Sequence, residues 1–345
     1  MQMAELTRQL EELADRERFS GVIRITLKDQ ILLERSFGYH DRETKRPFTE
    51  DSMFTLYSMS KPFCAIGLLL LKDQCLVDID KHPGAYVPEA RDFDPRVTIR
   101  HMLHHVSGLP GFFEVADWKE NPPRDHLTNL RKYIQLLCAQ PQHFAPGTDG
   151  LYENINFTLS ALIIENVTGM TYPDYMEQKV FPLMGATTLL VDFEGRKVEN
   201  RAQGYRLDEK GEIRPTDRYH AWMLGGGDLV GRVEDVYCLN RVIKHRLLLK
   251  PETWAQVLTP SPINQKGMGC TVTQWHGKQR ITHNGGHRGF RSFHVQLPEE
   301  DLDIIVLSNA GYGNFRQEAI ELVYKEIYDA NVQSEAPMLL DYGIL

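Results

Sequence analysis

Met3, Leu6, Leu10 and Leu13 recur at spacings of three and four, which predicts an amphipathic first helix laying one stripe on a core. Gly21 ends that pattern. Residues 22–27 and 31–37 are β-branched and apolar runs joined by the polar Lys28-Asp29-Gln30, and they read as a β-hairpin. After a loop over 41–51 the period becomes helical from Ser58 through Ala65, Leu68, Leu69 and Lys72, with Pro62 close enough to the start for a first turn to hold it. This helix is apolar on most sides, so it is expected to be buried on most sides and open only at its amino end.

The middle of the chain keeps the helical period. A short helix over 98–105 ends at Ser107-Gly108-Leu109-Pro110, another spans 127–139, and a turn over 144–148 leads to Tyr152-Glu153-Asn154. Phe157, Leu159, Ala161, Leu162 and Ile164 then form a buried face, Gly169 is placed as a C-cap, and Thr171 opens a helix over 172–180. Beyond Val191 the texture changes to hairpin-like alternation over 204–213, the loop Gly225-Gly226-Gly227-Asp228 and a helix over 233–243. The glycine run lacks the pattern that cradles phosphate and reads as a tight backbone passage.

Three apolar strands, 268–275, 290–297 and 302–307, close the fold, with Ile281-Thr282-His283-Asn284-Gly285-Gly286 between the first two and a last helix over 315–328. Sheet-forming segments at both ends with helices between predict an α+β fold: one antiparallel sheet flanked by terminal helices, with an inserted helical lobe. The expected division is a sheet lobe at about 1–75 and 205–330, a helical lobe at about 76–204 and a tail at 331–345.

Composition narrows the function classes. With 42% hydrophobic and 25% charged residues among 345, the chain has enough apolar material for a large core and gives no sign of disorder. The formal charge of −8 and the lack of a basic block weigh against nucleic acid as a partner. No run of about 18 uncharged apolar residues is present, so no membrane partner is expected. Cys64, Cys75, Cys138, Cys238 and Cys270 are scattered, without a C-x-x-C spacing, and read as reduced thiols. The charged amino terminus lacks the features of a secretory signal, and with the thiols this gives the expectation of a cytoplasmic protein.

The candidate chemistry starts at Ser58-Met59-Ser60-Lys61, where a hydroxyl and an amine one helical turn apart lie roughly 5 to 6 Å apart by Cβ. A serine hydroxyl is a poor nucleophile until a neighbouring base takes its proton, and Lys61 can be that base. Alone the spacing carries little, because it turns up roughly once by accident in a chain this long. His101, His104 and His105 cluster, but no carboxylate or cysteine of suitable spacing joins them, so they read as surface or packing residues and no metal or other cofactor is expected.

Three stretches in order, Ser58-Met59-Ser60-Lys61, Tyr152-Glu153-Asn154 and His283-Asn284-Gly285 with Gly286 after it, resemble the serine β-lactamase and penicillin-binding-protein superfamily. The resemblance is to its class C β-lactamase-like branch, which holds esterases, D,D-peptidases and D-aminopeptidases and reads S-x-x-K, Y-x-N and K/H-x-G. Arg100-His101-Met102-Leu103, Ser107-Gly108-Leu109-Pro110, Pro146-Gly147-Thr148 and Val167-Thr168-Gly169 are similar to that branch's phrases, and the likeness runs from about Gly21 to Tyr328. It implies a β-lactamase/transpeptidase-like fold with the site between the lobes. It also implies Ser58 as acylated nucleophile, Lys61 and Tyr152 as the proton-transfer pair with either as base, and Asn154 as a donor to the substrate. The glycine stretch Gly285-Gly286 lines the substrate side, and the backbone N–H groups of Ser58 and Gly286 would form the oxyanion hole.

Two positions depart from the branch's β-lactamases. His283 stands where they carry lysine, exchanging a permanent cation for a group that ordinarily titrates near 6.5, so activity is expected to depend on its ionisation. Asn284 replaces a hydroxyl that helps bind a substrate carboxylate, and Arg288 or Arg291 in the same segment is a candidate clamp in its stead. The leading reading is therefore a serine hydrolase acting through an acyl-enzyme on a small carboxylic ester, amide or peptide. The alternatives are a D-amino-acid peptidase or carboxypeptidase, a weak β-lactamase, or a scaffold that no longer turns over. An α/β-hydrolase is excluded by the absence of a G-x-S-x-G elbow. Oligomeric state is not legible here.

Overall fold

In the computed structural model, which describes residues 3–115, 128–193, 195–217 and 223–328, the two ends of the chain meet in one six-stranded antiparallel sheet. Helix α1 (Met3–Arg16) buries Leu6, Leu10, Leu13 and Ala14, the stripe its spacing predicts. It leads to the hairpin β1 (Gly21–Leu27) and β2 (Gln30–Phe37). That turn is two residues rather than three, with Lys28 and Asp29 at φ 52° and 58°, the backbone twist that suits a tight hairpin.

Strand β3 (Phe54–Thr55) precedes α2 (Ser60–Asp73), and the middle holds α3 (Ile99–Leu103), α4 (Thr128–Cys138), α5 (Ile155–Thr168), α6 (Tyr172–Tyr175) and α7 (Phe181–Met184). The helix expected over 172–180 is interrupted, since a π turn, Met176–Val180, separates α6 from α7. Then come β4 (Leu190–Val191), β5 (Tyr205–Leu207), β6 (Ile213–Pro215), β7 (Leu229–Gly231), α8 (Val233–Lys244) and α9 (Pro251–Leu258). The chain closes with β8 (Thr271–Trp275), β9 (Lys278–His287), β10 (Phe290–Leu297), β11 (Leu302–Ser308) and α10 (Phe315–Tyr328). The tail expected at 331–345 lies outside the described residues.

The sheet runs β2-β1-β11-β10-β9-β8. It corrects one expectation, because the segment 281–286 is not a connection between strands but the heart of the ten-residue strand β9. Glycine and asparagine are poor strand formers, so the local signal is weak there; the pairing with β10, His283 opposite His294 and Gly285 opposite Ser292, supplies what propensity does not.

Side chains alternate across this sheet. Ile23, Ile25, Phe293, Val295, Ile304 and Val306 face α1 and α10 in one core, while Val22, Ile281, Ile305 and Leu307 join a larger core with the helices. At its centre α2 is buried from Ser60 to Leu69 and packs on α5, whose residues Ile155 to Glu165 are all buried. A small sheet, β3-β7-β4, ties the approach to α2 to the segment after the glycine run. Among the described residues no helix is long and apolar enough to cross a membrane.

Candidate active site

The chain enters α2 through a tight 3-10 turn, Tyr57–Met59, which puts Ser58 just ahead of the helix rather than at its first residue. Tyr57 holds φ at 49°, a costly conformation for a non-glycine residue, and its buried ring packs edge-on to His287 at 5.4 Å. The turn is pinned on both sides: Leu56 N donates to Leu229 O (2.8 Å), and Leu56 O accepts from Ser292 Oγ (2.6 Å). Strand β9 presses against it at Gly285, where an added Cβ would stand 2.0 Å from Leu56 O and 2.9 Å from Ser58 N. Only glycine lets the strand approach this closely.

Lys61 is fully buried, whereas Ser58 is partly open. Its Nζ lies 3.1 Å from Ser58 Oγ and donates to Asn154 Oδ1 (2.8 Å) and Gly226 O (2.6 Å). The last two oxygens can only accept, so they use two N–H bonds. In the neutral amine the remaining position is a lone pair aimed at the Ser58 hydroxyl. Burial drives the amine that way, lowering Lys61 to about 7, with the charge of Asp228 opposing the shift.

Tyr152 closes the site from the helical side. The face of its ring lies 4.7 Å from Lys61 Nζ, and its hydroxyl points to the nucleophile, whose side chain is the group that favours its ionised form. Burial pushes Tyr152 above its ordinary value, the opposite of what a tyrosinate base requires. Under the ring, His105 stacks at 4.3 Å, and its Nδ1 accepts from Glu153 N (3.3 Å) and Asn156 Nδ2 (3.2 Å), fixing the Tyr152-Glu153-Asn154 turn.

The clustered histidines therefore do not converge on a common point. His104 Nδ1 bonds to Lys266 O (2.7 Å), and His101 joins Thr98 in a capping box. A different group comes together: Glu114, His143 and Glu153 have ligand atoms within 4.8 Å of one another, with His143 Nε2 2.8 Å from Glu114 Oε1. Burial, with the Glu114 charge next, pushes Glu153 up to about 7.

On β9, His283 and Gly285 face Ser58, and the ring of His283 is buried. Its Nδ1 lies 2.8 Å from Asn284 O, an acceptor, so Nδ1 carries the ring proton and Nε2 is bare. Burial first, then the charges of Lys266 and Lys61, hold His283 well below its usual range. Both burial and the two amines therefore work against the titrating cation expected at this position.

Asn284 alternates to the other face with Phe293, so its side chain does not share the face that carries Ser58. On that far face the Arg291 side chain crosses Gly286, where an added Cβ would stand 2.5 Å from Nη1. Arg288, expected as a clamp, is exposed in the two-residue turn between β9 and β10, with φ 40° and its carbonyl accepting from Thr216 Oγ1 (2.6 Å).

Two residues at the site went unnoticed in the sequence. The Gly225–Gly227 passage is tight, as expected, and it is closed by Asp228, whose Oδ2 accepts from Gly225 N (2.8 Å). That closure sets Gly226 O against Lys61. Asp228 is buried, which pushes its carboxyl up to about 7 against the pull of Lys61. Lys266, the second, brings an amine to 5.8 Å from the centre of the Tyr152 ring. The acid closing the glycine run was the available signal for Asp228; nothing local marked Lys266.

Known proteins resemble this chain over most of its length. A family model described as Beta-lactamase matches residues 6–327. The chain is similar to "Penicillin-binding protein 4*" of Bacillus subtilis (strain 168), 26% identical over 323 residues, covering 87% of this chain and 70% of that protein. It is also similar to a "D-aminopeptidase" of Gluconobacter oxydans (strain 621H), 25% identical over 298 residues, covering 84% of this chain but only 55% of the relative. A solved structure of a penicillin binding protein from Bacillus halodurans superposes with a TM-score of 0.78 at 24% identity, covering 92% of this chain and 99% of that one.

Proposed function

This chain belongs to the beta-lactamase family, and from that membership and the Ser58 geometry we propose that it is a serine hydrolase forming an acyl-enzyme on small carboxylic esters or amides. The observation that carries the reading is the three-way setting of Lys61 Nζ, with two acceptor-only oxygens fixed and Ser58 Oγ at 3.1 Å.

Neutral Lys61 takes the Ser58 proton as Oγ attacks the carbonyl carbon. The tetrahedral oxyanion is held by the N–H groups of Ser58 and Gly286, in a cleft where preformed donors need no reorganisation. Tyr152 relays the proton from Lys61 to the leaving alkoxide or amine, the bond to that group breaks, and the acyl-enzyme remains. Water then attacks, its proton passing to Lys61, and the second tetrahedral state collapses to carboxylic acid while Ser58 Oγ recovers a proton. Asn154 fixes Lys61 through Oδ1 in this cycle and offers its Nδ2 amide to the acyl chain.

Similarity to a D-aminopeptidase supports keeping small amides within the substrate class. The five free cysteines support the reducing cytoplasm as its compartment. Intact-mass analysis after fluorophosphonate treatment tests the core of the reading. One phosphonyl adduct on the wild type and none on Ser58→Ala is the expected result; an adduct that persists in Ser58→Ala removes Ser58 as nucleophile. Turnover of a chromogenic cephalosporin with no cleavage of a p-nitrophenyl ester would reverse the substrate ranking.

A further inference from the structure

Lys266 sits in the segment between α9 and β8, and its backbone is held from three directions. Its N–H donates to Asn264 Oδ1 (3.0 Å), and its carbonyl accepts from Ser261 N (2.8 Å) and lies 2.7 Å from His104 Nδ1. Asn264 Nδ2 in turn donates to the carbonyl of His104 (2.9 Å), next to the histidine that stacks on Tyr152. The side chain is thus delivered to the cleft by a braced loop.

At its tip, Nζ donates to Thr271 Oγ1 (2.8 Å) and lies 5.8 Å from the centre of the Tyr152 ring. Among the described residues no ion pair engages it. Burial lowers Lys266, and its own charge is the largest of those bearing on His283. A half-buried ammonium beside the Tyr152 ring, with a hydroxyl and that ring as neighbours and no ion pair among the described residues, gains most from an anion that arrives with the substrate.

We propose that Lys266 is the substrate-binding cation of this cleft and that the preferred acyl donor carries a free carboxylate near its scissile carbonyl. The inference rests on the serine hydrolase reading. It places the positive charge on the loop before β8 rather than at His283, where the sequence pattern directs attention.

Arylboronic acids test it without requiring turnover, because boron accepts the Ser58 Oγ electron pair, the hydroxyl proton passes to Lys61, and a tetrahedral adduct forms. Dissociation constants of phenylboronic acid and its 2-, 3- and 4-carboxy isomers are compared in wild type, Lys266→Met, Lys266→Arg and Ser58→Ala, with thermal unfolding to verify folding. In wild type at least one carboxy isomer should bind roughly tenfold or more tighter than phenylboronic acid, as a charge-assisted hydrogen bond supplies. That ratio should collapse toward one in Lys266→Met and largely survive in Lys266→Arg. No gain from any isomer in wild type, or a gain that Lys266→Met retains, overturns the proposal. Binding that is absent in wild type, or that survives in Ser58→Ala, instead overturns the serine hydrolase reading and takes this inference with it.

Discussion

Lys61 Nζ stands 3.1 Å from Ser58 Oγ across one turn of chain, with its other bonds committed to oxygens that cannot donate. Three acceptor oxygens suit the ammonium as well as the amine, and it is burial, lowering Lys61 to about 7, that opens the neutral form. The base must be deprotonated to act, so kcat/KM for a neutral ester should rise with pH through about 7 and level off above it. Lys61→Met should lower the plateau by roughly 10²- to 10⁴-fold, the usual worth of a general base. His283 is held neutral well below this range, so His283→Gln should leave the midpoint in place even where it changes the plateau. A midpoint that moves with His283→Gln would return the pH dependence to the imidazole.

Asp228 is a positioning residue behind that amine. Its Oδ2 closes the Gly225 turn and so aims Gly226 O at Lys61, and its charge favours the ammonium form. Asp228→Asn keeps an oxygen for Gly225 N while removing the charge. The carboxyl itself titrates near 7 and is charged over only part of the limb, so its removal should move the acid limb of kcat/KM modestly to lower pH with the plateau little changed. A purely structural role would lower the plateau and leave the midpoint where it was, and an upward move contradicts the electrostatic account. The pH profile of the variant separates these outcomes.

The elements whose signal is local were legible in the chain itself. The stripe of Leu6, Leu10 and Leu13, the all-apolar α2 and the β1–β2 hairpin depend on neighbours within a few residues, and they stand where the period placed them. The family pattern likewise led to Ser58, Lys61 and Tyr152, which the structure brings together. What escaped depends on distant partners. Gly226 and Lys61 are 165 positions apart, and Lys266 reaches Tyr152 through braces on His104 and Asn264. Strand β9 was hidden for the same reason: Asn284, Gly285 and Gly286 have little preference for extended backbone, and only β10 beside them makes it a strand.

Gly285 is where strand and nucleophile turn touch, and it gives a test of how tightly the site depends on that contact. An alanine Cβ there would stand 2.0 Å from Leu56 O, 2.5 Å from Ser292 Oγ and 2.9 Å from Ser58 N. The Ser292 hydroxyl donates to Leu56 O alongside Met59 N, so the methyl group must displace one end of a hydrogen bond that anchors the turn. Backbone cannot yield as a flexible side chain does, and overpacking of this kind costs about 1–3 kcal/mol. Gly285→Ala should therefore lower stability in denaturant by about that amount, with fluorophosphonate labelling of Ser58 slowed well beyond what the folded fraction accounts for. Ser292→Ala removes the hydrogen bond without the clash and should cost about 1 kcal/mol, with labelling largely kept. If Gly285→Ala labels at the wild-type rate with unchanged stability, β9 does not hold Ser58 in place, and the oxyanion hole assigned to Ser58 and Gly286 loses its structural support.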